Sequence, residues 1–194
     1  MKHLLLALAS LLICAAPVLA DPAGDIESAR SQLVGATSYR VTFEDESGTT
    51  TIDYAPPDRM RILTPVAQTV IVGASISVNT GSGWSPGAVN RSIYGLILEI
   101  QKGSLLVLGD EDQASADGQE DVDGVTMNRY EVKTVDDGVT IARRTIWINA
   151  HSGFPYRVVR ADGSTTLTAT YSDFDADFGI QTPATPVPAA GSGY

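Results

Sequence analysis

The sequence predicts a β-dominated α+β domain, with about ten antiparallel strands and two short helices. Three observations predict it. From Ser38 onward, apolar and polar residues alternate with period two in short runs. The runs are separated by turn residues of the kind hairpins favour, such as Asp136, Asp137, Gly138 and the pair Asp162, Gly163. Only Asp21 to Gly35 and Asn90 to Lys102 change to helical spacing.

The chain begins with a segment that reads as a secretion signal, Met1 to Ala20. Lys2 gives a basic start, Leu4 to Ala16 an apolar run, and Val18, Leu19, Ala20 a small-residue cleavage site before Asp21. The run is too short for a membrane span. Cys14, the single cysteine, lies inside it behind Leu11, Leu12 and Ile13. A small residue normally precedes a lipid-attached cysteine, so simple cleavage after Ala20 is the expectation. The mature chain then carries no cysteine and one histidine, His151. Without Lys2 it has twelve basic against twenty-three acidic side chains, a formal charge of −11. That balance excludes nucleic acid as a partner and opposes stable adsorption on anionic lipid. A core built without disulfides must hold the fold alone.

Pro22 suits a first helical turn and Gly35 a stop, with Ile26, Ala29, Leu33 and Val34 at helical spacing between them. Tyr39, Val41 and Phe43 alternate with Arg40, Thr42 and Glu44 as a first strand. Glu46, Ser47 and Gly48 turn the chain into a second, Thr49 to Ala55. Strands follow at Arg59–Thr64, Gln68–Val72 and Ala74–Thr80, punctuated by Pro56, Pro57, Pro65 and Gly73. A second helix, Asn90 to Lys102, places Ile93, Leu96, Ile97 and Ile100 on one face before Gly103. Further strands are predicted at Ser104–Gly109, Val125–Lys133, Val139–Ala150, Phe154–Ala161 and Thr165–Phe174. Asp110 to Asp123 packs seven acids into fourteen positions. It fails the EF-hand spacing, since Gly124 as sixth residue would put Gln119 first and Tyr130 twelfth, and reads as a solvated loop. From Gln181 onward the chain is Pro, Ala, Gly and Ser rich; residues 179–194 read as a flexible tail and 21–178 as one domain. Two short helices hide only part of a long curved sheet, so part of its apolar face is expected to be a hollow.

The order of signals resembles the LolA-like superfamily of periplasmic outer-membrane lipoprotein carrier and sorting proteins. The residues that carry the resemblance are Tyr39, Val41, Thr42, Phe43; Tyr54 leading into Pro57 to Arg61; Val70 to Gly73 before Trp84; Asp123 and Gly124 before Tyr130 and Val132; Ile146 to Ile148 before Gly153, Phe154, Pro155; and Tyr171 to Phe174. The sequence departs from the pattern at Val72, where the family often has a polar residue. The resemblance implies an incomplete antiparallel β-barrel wrapped around helices, with an apolar cavity for acyl chains. It implies a periplasmic lipid or lipoprotein carrier, non-enzymatic and without cofactor or metal, most simply a monomer, with a membrane-protein donor or acceptor as further partner.

An acyl-chain site needs concave apolar surface, each buried methylene contributing about 0.8 kcal/mol. Phe43, Tyr54, Met60, Ile62, Val70, Ile76, Ile93, Ile97, Leu106 and Met127 are the candidate lining, and each serves a filled core equally well. Arg59 and Arg61, opposite in facing to Met60, are candidates for a cavity mouth or for a solvated strand face. Arg143 and Arg144 face opposite ways, and an inward one needs an acidic partner. Trp84 and Trp147 read as core or rim aromatics. An envelope-stress sensor or protein-binding module on the same fold is the alternative function. A hydrolase is disfavoured: His151 and Ser152 sit in one hairpin turn, with no Gly-x-Ser-x-Gly elbow and no singled-out carboxylate pair.

Overall fold

The computed structural model describes residues 21–88 and 91–184, apart from the side chains at 91–93, 96 and 99. The predicted signal and the end of the predicted tail, 185–194, lie outside them. Helix α1 (Pro22–Gly35) starts as its sequence dictates: the Asp21 carboxylate accepts from the Gly24 amide at 3.0 Å, with Pro22 in the first turn. Ile26, Ala29 and Leu33, one helical stripe, are fully buried.

Six strands follow as a meander: β1 (Tyr39–Asp45), β2 (Gly48–Ala55), β3 (Arg59–Leu63), β4 (Gln68–Val72), β5 (Ser75–Asn79) and the short β6 (Trp84–Pro86). Helix α2 (Arg91–Lys102) and a 3-10 turn (Ser104–Leu106) then cross to β7 (Asp112–Val122), β8 (Val125–Asp136), β9 (Val139–Asn149), β10 (Pro155–Asp162) and β11 (Thr165–Ser172). All eleven form one antiparallel sheet in the order β6-β5-β4-β3-β2-β1-β11-β10-β9-β8-β7. Every neighbour is consecutive in sequence except β1 and β11, which pair from Arg40 with Ser172 to Glu44 with Thr168. The edges β6 and β7 do not meet, so the curved sheet is an incomplete barrel, α+β in class.

Two local expectations are corrected. The acidic stretch predicted as a loop is strand β7, and its carboxylates have partners: Asp112 takes Arg144, Thr134 and the Gly109 amide, Asp117 takes Arg129, and Glu120 the Trp147 indole N–H. Ser104–Gly109 begins as a 3-10 turn that buries Leu105 and Leu106. After β11 the chain runs on as a strap in which Phe174, Ala176, Phe178 and Ile180 turn inward, and Ile180 is only 5% exposed. Asp175 anchors the strap by accepting from both the amide and the hydroxyl of Thr37 at 2.8 Å.

Cross-strand register assigns the two faces. Val41 opposite Ile52 and Tyr171, and Ile146 opposite Tyr130 and Val158, form the concave face that packs on α1. The convex face carries charge. Asp53 there is fully buried yet accepts from the Arg40 Nε at 2.7 Å and from Arg61, a paired arrangement that satisfies a buried carboxylate. Trp147, also convex, lies between the guanidinium groups of its cross-strand partners Arg129 and Arg157, at 5.6 and 5.9 Å. Of the two arginines in β9, Arg144 is the concave one, and it has the acidic partner that burial demands, Asp112.

Candidate functional site

An apolar groove forms where α2 crosses β3, β4 and β5. Met60, Ile71 and Ile76 are successive cross-strand partners and stand in one row on the concave face. α2 brings Tyr94, Ile97, Leu98 and Gln101 over that row, a spacing that keeps all four on one helical stripe. The groove between them measures about 540 Å³, within the roughly 300–1,000 Å³ of small-molecule sites. Pro57, Asp58, Gly73, Ala74 and Ala88 form its rim.

The walls are fixed by hydrogen bonds from outside the groove. The Tyr39 hydroxyl donates to the Ile100 carbonyl at 2.9 Å, tying the last turn of α2 to β1. Burial, with Tyr171 and Tyr54 nearby, drives the Tyr39 phenol far above its ordinary range, so it stays a neutral donor. Its ring meets that of Tyr54 edge-on at 5.4 Å. The Gly73 amide donates to the Asp58 carbonyl at 3.0 Å and joins the two turns at the rim. Gly73 has φ +57, and a Cβ there would sit 3.4 Å from the Asp58 carboxylate, so glycine suits both the backbone and the space.

Of the side chains singled out from sequence, Met60, Ile76 and Ile97 line the groove. Phe43, Tyr54, Ile62 and Leu106 lie in the filled core. The Ile93 side chain is outside the described residues. Val70 and Met127 are buried on the convex face: Val70 is partnered with Arg61 and Ser77, and Met127 shares the face of Arg129 and Trp147. Arg61 is engaged with Asp53. Arg59 opens onto a separate polar cleft of about 460 Å³ between the strap and residues 37, 38 and 55. Neither arginine stands at the groove, where Asp58 takes the rim position instead. Ile71, Tyr94 and Leu98 went unrecognised. Ile71 is masked by the run Val70, Ile71, Val72, which has no alternation to give it a face, whereas Tyr94 and Leu98 were legible from the α2 stripe.

No family model matches the sequence, and no curated protein matches it. Solved structures do. LprF from Mycobacterium bovis superposes with a TM-score of 0.65 at 15% identity, covering 84% of this chain and 97% of LprF. The Mycobacterium tuberculosis lipoprotein LppX gives 0.62 at 17%, covering 84% of this chain and all of LppX. This chain has the LprF and LppX fold. A LolA superfamily protein from Nitrosomonas europaea gives a TM-score of 0.36 at 13% identity, covering 84% of this chain and 94% of that one. The fold assignment rests on LprF and LppX. At their identity the likeness is one of architecture.

Proposed function

We propose that the protein is a non-enzymatic envelope carrier, exported to the periplasm as a monomer, that holds the acyl chain of a lipid or acylated ligand in the groove between α2 and β3–β5. The observation that carries this reading is the groove itself: a row of Met60, Ile71 and Ile76 facing Tyr94, Ile97 and Leu98 across about 540 Å³, open to solvent on an otherwise acidic protein. Ile71, Ile76 and Leu98 are half-buried and Tyr94 is exposed, so apolar area remains in water there, and an acyl chain laid along it gains about 0.8 kcal/mol per methylene removed from water. Met60 adds an unbranched, adaptable side chain that accommodates chains of different shape. The LppX and LprF fold and the LolA-like resemblance support the same reading, with a membrane-protein donor or acceptor as a further partner.

Native mass spectrometry of the mature protein, purified without detergent from its own envelope and followed by lipid extraction, tests the proposal. Near-stoichiometric co-purifying lipid or lipopeptide is the expected result and names the cargo class. A bare mass that persists after incubation with envelope lipids overturns it and favours a protein-binding role for the same face.

A further inference from the structure

The rim of the groove carries a charge that the acyl-chain reading does not use. Among the described residues that line it, Asp58 is the one charged side chain. Its carbonyl is occupied by the Gly73 amide, but no described residue pairs with its carboxylate. The neighbouring cation, Arg59, opens onto the polar cleft against the strap, and the next arginine, Arg61, is engaged with Asp53 on the convex face. The absence of a Cβ at Gly73 leaves space beside the Asp58 carboxylate. The remaining polar groups of the lining, the Gln101 amide and the Tyr94 hydroxyl, are uncharged. The Asp58 charge also reaches into the wall, where burial first and this carboxylate second raise the Tyr54 phenol above its usual range.

We infer that the groove selects amphiphiles whose polar end is a protonated amine, accepts a hydroxyl end less tightly, and rejects carboxylate and phosphate ends, with Asp58 as the specificity-determining residue. This rests on the acyl-groove reading above. A ligand whose chain lies on Met60, Ile71 and Ile76 has its polar end at the rim. There an ammonium brings three donors to an acceptor-only carboxylate and forms a charge-assisted hydrogen bond. A hydroxyl supplies one neutral donor. A carboxylate or phosphate meets like charge at the border of an apolar surface, where the repulsion is stronger than in bulk water and no described cation relieves it.

The test uses four amphiphiles of twelve carbons, dodecylamine, dodecanol, dodecanoate and dodecyl phosphate, each below its micellar concentration or solubility limit at neutral pH. Each competes for the mature protein against bound Nile red, with fluorescence as the readout. The amine should bind about tenfold tighter than dodecanoate, with dodecanol between them. Asp58→Asn, an isosteric change at an exposed turn, should bring amine and carboxylate to within about twofold of each other while dodecanol is unmoved. Equal binding of amine and carboxylate by the unmodified protein overturns the inference and leaves the groove reading standing. A preference that survives Asp58→Asn overturns it too, since the selectivity would then come from the protein's overall negative charge. If none of the four displaces the dye, the acyl-groove reading falls and the headgroup rule with it.

Discussion

Under α1, strands β8 to β11 and β1 meet a helix whose Ile26, Ala29 and Leu33 are sealed against Tyr130, Ile146 and Val158. Under α2, strands β3 to β5 meet a helix whose Tyr94 is 57% exposed and whose Leu98 is only half-buried. Both halves of the concave face follow the same rule, an apolar strand face beneath an amphipathic helix, yet one is a core and the other a groove. The side chains at the contact make the difference. α1 presents the small Ala29 at its contact, while Tyr94, Ile97 and Leu98 line the groove with Met60, Ile71 and Ile76; helix separation is set by the residues at the contact. Binding capacity in this fold is a matter of how closely a helix is allowed to dock.

The contrast predicts unequal costs for similar substitutions. Ile146→Ala, in the filled half, should destabilise by about 3 kcal/mol in denaturant unfolding and leave ligand affinity unchanged, because it opens a closed cavity. A loss below about 1 kcal/mol would mean that this half is loosely packed as well. Asp112→Asn comes next, at about 2 kcal/mol, since it leaves the nearly buried Arg144 short of its partner. Burial raises the Asp112 carboxyl, but hydrogen bonds from Thr134 and the Gly109 amide, together with Arg144, outweigh it and hold it below its ordinary 3.8. A depressed folded pKa gives stability that is present above the unfolded value and lost as pH falls through the folded one. The unmodified protein should therefore lose stability below pH 3.8, and Asp112→Asn should flatten that limb of the curve. An unchanged acid limb would show that the pair contributes nothing.

Smaller effects belong to the open half. Leu98→Glu should cost under about 1 kcal/mol, because a half-exposed position lets the carboxylate reach water, and should abolish capture of an apolar probe. Unfolding on that change would place Leu98 in the core with Ile97 and Ile100 of the same helix rather than in a groove wall. Smallest of all is Tyr130→Phe, a few tenths to about 1 kcal/mol. Burial, then the Asp25 carboxylate that accepts from its hydroxyl at 2.8 Å, pushes the Tyr130 phenol up to about 12. That stability is complete below the usual value of 10 and disappears as pH rises through about 12, so the variant should show a smaller alkaline loss of stability in a pH titration followed by circular dichroism.

Much of the filled half was legible in the sequence, because its residues obey one rule at a time. Tyr39, Val41 and Phe43 alternate cleanly, and Asp21 with Pro22 announces a helix start, so α1, β1 and β2 came within a residue or two. Edge strands were harder. β7 buries little on either face, and its acids with Gly118 look like solvent-exposed loop until a neighbouring strand supplies the hydrogen bonds. β6 has three residues and contains a proline. The groove was legible in part: Met60 and Ile97 follow from strand and helix patterns, but Val70 was chosen over Ile71 because branched residues occupy consecutive positions and only register decides their face. Asp58 at the rim was not legible at all, being placed there by the join of two turns distant in sequence.

The one non-consecutive strand pairing, β1 with β11, gives the chain an unusual economy of folding. Strands β2 to β6 form one run of hairpins and β7 to β11 another, each made of contacts close in sequence. Such local pairings close quickly, whereas the β1–β11 seam joins Val41 to Tyr171 across most of the chain and carries the loop-closure entropy of the whole sheet. The two wings are thus poised to assemble independently and to meet in a late zippering step. Residues such as Ala169, fully buried beside Phe43 on that seam, would then act on the rate at which the two wings join rather than on the formation of either wing.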